Sequence, residues 1–493
     1  MRQITIESPA EGENLLERLR QDQVYFPAHC GGRGTCGKCK VRFISGAPEP
    51  SEDGKRFFSE EELASGWRLA CRTTVSGRVH LEIPEADEDE ITASVSFFGS
   101  KAAESSSDGE RTDSDYVIAV DIGTTTLAAA LVDRQTGKIE QTVTSVNHQR
   151  AFGTDVVSRM DASNRGKGEL LRQSICQDLA ALAEKLGQDP EQAAFVVSGN
   201  TTMQHLLQGL SCETLGVAPY NPVDISMHPY QNMLMMPGIS TFVGADIVSG
   251  IVASGMDESE DVCLLVDLGT NGEMVIGNKE KMLSASTAAG PAFEGGNISC
   301  GVAGVPGAIS EVEISGGTPV IHTIQDAPAI GLCGTGVLET VYELLKDELI
   351  DETGLMDDEY FDDGFPLAEG IVFTSQDVRE VQLAKSAIRA GIEVLLKEYG
   401  ISYDGVERVY LAGGFGEKIN QEKAIGIGLL PEEFDGKIIP AGNSSLAGAV
   451  MLAGKPEMAE RFVRAAESAG EIALAENPAF NDLYMDHMFF PEE

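Results

Sequence analysis

Two groups of residues in this 493-residue chain have the types and spacing to do chemistry. The first is Cys30-Gly31-Gly32-Arg33-Gly34-Thr35-Cys36-Gly37-Lys38-Cys39, with a fourth cysteine at Cys71. Read as C-x5-C-x2-C followed by a distant C, it supplies four thiolates, three of them on one glycine-rich turn. Glycines let backbone N–H groups approach inorganic sulfide, so the pattern suits an iron–sulfur cluster. Tetrahedral zinc also takes four thiolates, but zinc ribbons usually present two separated C-x2-C knuckles. His29, beside the first ligand, raises a Rieske reading. That fails because a Rieske centre replaces two cysteines by histidines, and here all four cysteines are present. His29 is expected to be a solvent-facing neighbour of the cluster.

The second group is a repeated phrase. Asp121-Ile122-Gly123-Thr124-Thr125-Thr126 ends one apolar strand, and Asp267-Leu268-Gly269-Thr270-Asn271-Gly272-Glu273 ends another, the two aspartates 146 residues apart. Each phrase feeds a hairpin, one turning at Gln135–Lys138 and the other at Gly277–Lys279. A Gly/Thr turn offers uncovered N–H groups and hydroxyls to phosphate oxygens. An aspartate at the strand end suits hydrated Mg²⁺ beside them. One D-x-G-T is weak, since many strands end that way. Two copies at a domain-sized spacing point to an internal duplication whose halves clamp ATP from both sides.

Further candidates flank these phrases. Asp246 lies near the start of a small-residue helix in Val243-Gly244-Ala245-Asp246-Ile247-Val248-Ser249-Gly250, and resemblance to the first inter-lobe helix of two-lobed ATPases implies that it positions the attacking water or the metal. A second small-residue helix, Asn443–Ala453, is expected to cross the first and form a hinge. Gly413-Gly414-Phe415 ends a strand in paired glycines and resembles the adenosine motif of two-lobed ATPases, which implies that base and ribose lie on bare backbone there. Gly334 and Gly336 open a helix at Val337–Leu345 and would aim N–H groups at a nucleotide. Ala289–Gly296 is a glycine-rich turn that lines the cleft or faces a partner. Cys176, Cys212, Cys263, Cys300 and Cys333 lack ligand spacing and are expected as buried thiols. His148 and His205 are expected as satisfied histidines rather than catalysts. Phe480, Tyr484, Met488, Phe489 and Phe490 are expected to cover the core.

These residues need elements to hold them. Residues 1–84 read as strand, helix Asn14–Leu19, cysteine loop, strand Cys39–Phe43, fourth ligand and an alternating strand Arg78–Pro84. Residues 85–115 are acidic and serine-rich and read as a flexible linker spanning roughly 30 Å. The patch Val95–Gly99 within it has the apolar character to dock locally. Residues 116–493 alternate apolar strands with Gly/Ala-rich helices, a first lobe over about 116–256 and a second over about 257–493.

Bulk composition narrows the partners. There are 36 Lys and Arg against 78 Asp and Glu, a net charge of −42, which argues against nucleic acid and anionic membranes. No signal peptide or membrane-spanning stretch is evident. Nine cysteines, an odd number with four in a ligand pattern, point to a reducing cytoplasm.

The first 84 residues resemble the adrenodoxin variant of 2Fe–2S ferredoxins, which implies an α+β β-grasp domain. The doubled Asp-Gly-Thr phrase with its glycine motifs resembles the actin/sugar-kinase/heat-shock-ATPase superfamily, which implies a duplicated α/β ATPase of two ribonuclease-H-like lobes. The order C-x5-C-x2-C…C, DIGTTT, FGTDVVSRM, SGNTTM, VGADIVSG, DLGTNGE, AAGPAFEGG, AGGFG is similar to the ATP-dependent reductive activators of corrinoid proteins. The likeness spans nearly the whole chain. It implies that Cys30, Cys36, Cys39 and Cys71 hold the 2Fe–2S cluster. It also implies that Asp121 and Asp267 with their turns hold Mg²⁺ and phosphate, and that Gly413 and Gly414 face adenosine. The implied reaction passes one electron from the cluster to convert Co(II) cobamide to Co(I) for methyl transfer, coupled to ATP hydrolysis. The implied partners are a corrinoid protein of a methyltransferase system and an upstream low-potential donor, with homodimerisation left open. Some relatives carry an extra middle segment, for which this chain has little room. Two alternatives stay open on the residues alone: an activator of a radical dehydratase or ring reductase, and a kinase with a redox-sensing ferredoxin. Activators of the first kind hold their cluster between ATPase subunits, and the second requires steady phosphorylation of a small substrate.

Overall fold

The computed structural model describes residues 2–7, 12–22, 24, 28, 30–83 and 115–491. His29, the patch Val95–Gly99 and all of the expected linker except residue 115 lie outside the described residues.

The N-terminal part is a four-stranded sheet in the order Arg2–Ile6, Val79–Ile83, Lys40–Ser45, Trp67–Leu69. All three pairings are antiparallel. The alternation of Val79, Leu81 and Ile83 puts all three on the inner face. Helix Leu15–Gln21 lies across that face and buries Leu15, Leu16 and Leu19 against Val41, Phe43 and Leu81. Each such side chain contributes about 1.5–3 kcal/mol on burial. Asn14 caps the helix by accepting from the Glu17 N–H. Its amide also donates to the Cys71 carbonyl at 3.1 Å, so the helix start holds the segment carrying the fourth cysteine.

The rest of the chain carries two six-stranded sheets. In the first, Tyr116–Ile122, Thr126–Asp133 and Ile139–Val146 form an antiparallel meander. Phe195–Gly199 joins Tyr116–Ile122 in parallel, Met233–Met235 follows in parallel, and His228–Tyr230 closes the edge. The second sheet repeats the scheme. Cys263–Leu268, Gly272–Gly277 and Met282–Thr287 form the meander, and Arg408–Ala412 and Ile438–Gly442 are added in parallel. Ala469–Glu471 covers its other edge. The central strands are covered on both faces, which is why Val117–Val120 and Cys263–Val266 read as unbroken apolar runs.

Helices Ala245–Ser254 and Ser444–Gly454 cross directly between the sheets, as their small residues predict. A Cβ on Gly448 would lie 2.5 Å from the Ser249 Cβ, and one on Gly250 2.9 Å from the Ser444 Oγ. Ser198 Oγ, on the first sheet, lies 2.9 Å from both the Ser249 and the Ser445 hydroxyls, so a buried chain of hydroxyls joins the crossing to the sheet.

At the C-terminus Met488 and Phe490 are buried and Phe480 and Tyr484 pack on the core, as expected. Phe489 does not: it is 56% exposed, in the bend that follows helix Pro478–Asp486. Buried Lys385 fixes this segment by donating to the His487 and Phe489 carbonyls at 2.6 and 2.7 Å.

Candidate functional site

The two Gly/Thr turns open onto one cleft of about 1070 Å³. Asp121, Gly123, Thr124, Thr125 and Thr126 line it from the first sheet, and Asp267, Gly269, Thr270, Asn271 and Glu273 from the second. Asp246, Gly334, Gly413, Gly414 and Phe415 are also on its walls. Gly272 and Gly336 are not. A Cβ on Gly272 would press on Ile388 and Thr287 at 3.0 and 3.1 Å, and one on Gly336 would strike the Ile309 carbonyl at 2.2 Å. Both glycines permit close packing behind the cleft.

Each aspartate occupies its place through the sheet register. Asp121 is opposite Ala128 in its hairpin and beside Ser198 on the parallel strand. Asp267 is opposite Glu273 and beside Ala412. The Asp121 carboxylate accepts from Asn443 Nδ2 at 3.0 Å and from Ser445 Oγ at 2.6 Å, both at the start of the crossing helix. No side-chain hydrogen bond reaches Asp267 among the described residues. Gly413, with φ of +85°, lets the adjacent strand end pass this carboxylate, since a Cβ there would lie 2.9 Å from Asp267 Oδ1.

Burial raises Asp121, Asp246, Asp267, Glu273 and Glu294 on the cleft wall, and repulsion from neighbouring carboxyls adds to it at Asp246, Asp267 and Glu273. Asp267 is pushed up to about 8 by burial, then by Asp246, Asp121 and Glu294. Asp246, in the first turn of helix Ala245–Ser254, is pushed up to about 7 by burial and then by Asp121. Burial also raises Asp121, with the Ser445 and Asn443 bonds opposing. Glu273 is raised well above the usual range by burial and then by Asp246 and Asp267, while Asn200 opposes this through a 3.3 Å bond. A divalent cation among these carboxyls would relieve the repulsion.

Glu294 joins the two turns and was not singled out from the sequence, although its segment Ala289–Gly296 was. Its Oε2 accepts from Thr270 Oγ1 at 2.9 Å and from Thr125 Oγ1 at 3.5 Å, one threonine from each turn. Asn443 and Ser445 were likewise read only as helix. The available signal was their place at that helix's start, where polar side chains project beyond the first turn. Deeper in the cleft Phe415 stacks on Phe293, ring centroids 4.8 Å apart and planes at 11°. A Cβ on Gly414 would meet nothing within 4 Å, so its backbone is open to the cleft.

At the cysteine loop, Gly31, Gly32, Gly34 and Gly37 all have left-handed φ, between 65° and 97°. The turn therefore depends on glycine at four places between its ligands. Cys30, Cys39 and Cys71 are buried and Cys36 is half-buried. Burial opposes the Cys30 thiolate, but bonds from the Cys36 and Thr35 backbone outweigh it and bring the thiol down to about 6. Cys39 and Cys71 share a hydrogen bond at 3.3 Å, and the bond from Cys71 lowers Cys39. Cys30 and Cys36 also influence each other's titration. Among the described residues no three His, Cys, Asp or Glu side chains converge on a single-ion site.

The remaining cysteines are buried or half-buried, and Cys333 Sγ is bonded to the Ile309 carbonyl. His148 pairs with Asp178 at 2.5 Å, and buried His205 bonds the Thr201 carbonyl and the Val223 N–H. Among the described residues no helix is long and apolar enough to cross a membrane.

Comparison with known proteins agrees along the whole chain. Family models match at residues 2–76 (2Fe-2S iron-sulfur cluster binding domain), 116–259 (RACo middle region) and 261–493 (C-terminal domain of RACo, the ASKHA domain). The corrinoid activation enzyme RamQ of Eubacterium limosum is 31% identical over 418 residues, covering 76% of this chain and 70% of the relative. A [Co(II) methylated amine-specific corrinoid protein] reductase of Methanosarcina barkeri is 27% identical over 416 residues, 75% of this chain and 76% of the relative. A solved reductive activator for corrinoid, iron-sulfur protein superposes with a TM-score of 0.71 at 28% identity, covering 98% of this chain and 96% of that one. The expectation of little room for a middle segment is corrected by the match at 116–259, which coincides with the first six-stranded sheet and its helices. An N-terminal 2Fe–2S domain, a RACo middle region and an actin-like ASKHA domain follow one another, and the chain belongs to the RACo family.

Proposed function

We propose that this chain reductively activates a corrinoid protein, converting its Co(II) cobamide to the Co(I) state needed for methyl transfer, in a reaction driven by ATP. The observation that carries this reading is the joining, in one chain, of a four-cysteine glycine loop to a cleft flanked by two Asp-Gly-Thr turns.

Cys30, Cys36, Cys39 and Cys71 would hold the 2Fe–2S cluster. The glycine-rich turn carrying three of them, within a domain matched by the 2Fe-2S family model, supports that cluster over a single tetrahedral ion. When bound, such a cluster supplies a one-electron relay near about −400 mV. A one-electron acceptor about 59 mV lower than its donor already disfavours transfer tenfold. Nucleotide-dependent binding energy supplies the missing drive by favouring one state of the partner over another.

In the cleft, Thr124, Thr125, Thr126, Thr270 and Asn271 with Gly123 and Gly269 would receive the phosphates. Asp121 and Asp267 would hold Mg²⁺ through its water shell. Asp246 is assigned to the attacking water or the metal, and Gly413, Gly414 and Phe415 to adenosine. Glu294, bonded to a threonine of each turn, would exchange those bonds as phosphate enters. The shared strand order of the two large sheets supports reading 116–256 and 257–493 as duplicated ribonuclease-H-like lobes, after a ferredoxin domain at 1–84 and a linker at 85–115. We further assign a low-potential donor upstream, a cytoplasmic site of action, and no nucleic-acid or membrane partner.

The test is anaerobic incubation of the reduced, reconstituted chain with candidate corrinoid proteins. The Co(I) spectrum should appear with ATP and not without it. Equal Co(I) without ATP would reduce the protein to a plain electron carrier. Cys36→Ser should remove the visible charge-transfer bands of the cluster while leaving nucleotide binding in place, and unchanged bands would contradict the ligand assignment.

A further inference from the structure

Residues 147–159 belong to neither the cysteine loop nor the cleft wall, yet they touch what holds both. At one end Asn147 donates from Nδ2 to the Gly123 carbonyl at 2.8 Å, and from its backbone N–H to the Thr125 carbonyl at 2.9 Å. Fully buried Arg159 donates to the Thr124 carbonyl at 2.5 Å and to the Gly153 carbonyl at 2.9 Å. Three successive carbonyls of the first Gly/Thr turn are thereby fixed on the side of this strap. A peptide flip that would aim one of them at a phosphate oxygen has to break such a bond.

At its other end the strap meets the ferredoxin domain. Arg20 Nε donates to the Ala151 carbonyl at 2.9 Å, and Nη2 reaches the same oxygen. Nη2 also reaches the carbonyl of Gly31, the residue after the first cysteine, at 3.3 Å, and Nη1 pairs with Glu17 at 2.9 Å. The guanidinium lies 4.8 Å from the centre of the Phe152 ring. A Cβ on Gly31 would come within 2.7 Å of the Phe152 carbonyl, so loop and strap are in direct contact. Lys167 pairs with Glu17 as a second point of attachment. Arg20 is only 2% exposed, and a guanidinium withdrawn from water is stable only when its donors are satisfied. Ala151 satisfies two of them, and only while the ferredoxin domain sits on the strap.

We propose that this strap is the docking surface for the chain's own ferredoxin domain, and that it makes docking and nucleotide binding mutually reinforcing. This rests on the nucleotide reading of the cleft. Docking steadies residues 147–159 and so keeps the first turn in its phosphate-accepting form. By linkage, nucleotide in the cleft strengthens docking by the same factor. The docked edge of the cysteine loop is the Cys30–Gly31 side, which leaves the half-exposed Cys36 side toward any external redox partner.

The experiment uses the full chain with its cluster reconstituted, the Mg²⁺ salt of a non-hydrolysable ATP analogue, calorimetry and amide hydrogen exchange. In the wild type the analogue should slow exchange at residues 30–34. Arg20→Ala should speed exchange at 30–34 and 151–153, and should weaken analogue binding about fivefold or more, the low end of ordinary coupling between sites. Arg20→Lys, which keeps the charge but loses the forked geometry, should fall between. It carries the test if the alanine variant fails to hold its cluster. Faster exchange with unchanged analogue affinity overturns the proposal, as does wild-type exchange at 30–34 that ignores the analogue. A wild-type chain that binds no analogue overturns the nucleotide reading itself, a separate and recognisable result.

Discussion

The two Gly/Thr turns are written in nearly the same residues, yet their aspartates have opposite neighbours. Asp121 sits between Ser198 and Ala128 in the sheet and accepts hydrogen bonds from Asn443 and Ser445. Asp267 sits between Ala412 and Glu273 and is surrounded by further carboxyls. The strand–turn–strand frame has been kept in both halves while the polar surroundings have diverged. The first turn is a braced platform, tied from behind by Asn147 and Arg159. The second holds an acid that no side-chain hydrogen bond reaches among the described residues, beside further carboxyls.

Breaking the second turn should have the largest effect. Asp267→Asn should lower ATP-dependent Co(I) formation by roughly a hundredfold or more, since losing even a supporting residue of a metal site costs about 10–100-fold. The cluster's visible spectrum should be unchanged. Full activity in this variant would remove Asp267 from the metal site.

The pH dependence sharpens the contrast. On the proposed Mg²⁺ assignment, Asp246, raised to about 7, and Asp267, raised to about 8, lose protons as Mg²⁺–nucleotide binds, so calorimetric affinity should rise from about pH 6 to pH 9 with proton release. Stability of the metal-free chain should run the other way. These folded carboxyls lie above the roughly 3.9 of an unfolded aspartate, so the folded chain binds more protons in between and loses stability as pH rises through that window. Asp267→Asn should flatten the upper part of this thermal-melt profile. An unaltered profile would contradict the buried-acid account.

Opening the bridge between the turns comes next. Glu294→Gln keeps a bonding group but removes a charge from the acid cluster, so the proton release on Mg²⁺–nucleotide binding should shift to lower pH. No shift would place Glu294 outside the electrostatic unit. The smallest effect is expected on the first turn. Asn443→Ala removes one of two bonds to Asp121 and should weaken nucleotide binding tenfold or less, at the low end of the roughly 10–100-fold range for supporting residues. A loss as large as that of Asp267→Asn would show that bracing matters as much as the metal-facing acid.

Much of this was legible in the sequence because it is local. The cysteine turn, the two Asp-Gly-Thr phrases and the strands that carry them are contiguous, and their apolar runs and glycines state the backbone conformation directly. Asp246 and the paired glycines at 413–414 were also readable, as strand and helix ends. What escaped depends on residues far apart in the chain. Glu294 acts by touching Thr125, 169 residues away, and Thr270. Asn443 and Ser445 reach Asp121 from the far end of the chain. Arg20 and Arg159 look like ordinary charged helix residues, and only tertiary packing buries them. Gly272 and Gly336 carry the right residue type in the right phrases but serve packing, because the pleat and the helix turn point them away from the cleft. Phe489 points outward from a bend between buried Met488 and Phe490, a conformation its local sequence does not state.

The most direct measurement follows cluster and cobalt together. Reduced chain and Co(II) corrinoid protein are mixed anaerobically, ATP is added, and the two visible spectra are recorded in one stopped-flow trace. The account predicts that cluster oxidation and Co(I) appearance share one rate and one-to-one stoichiometry, and begin only on ATP addition. Co(I) formed while the cluster stays reduced, or a cluster that oxidises on ATP addition without Co(I), would contradict it.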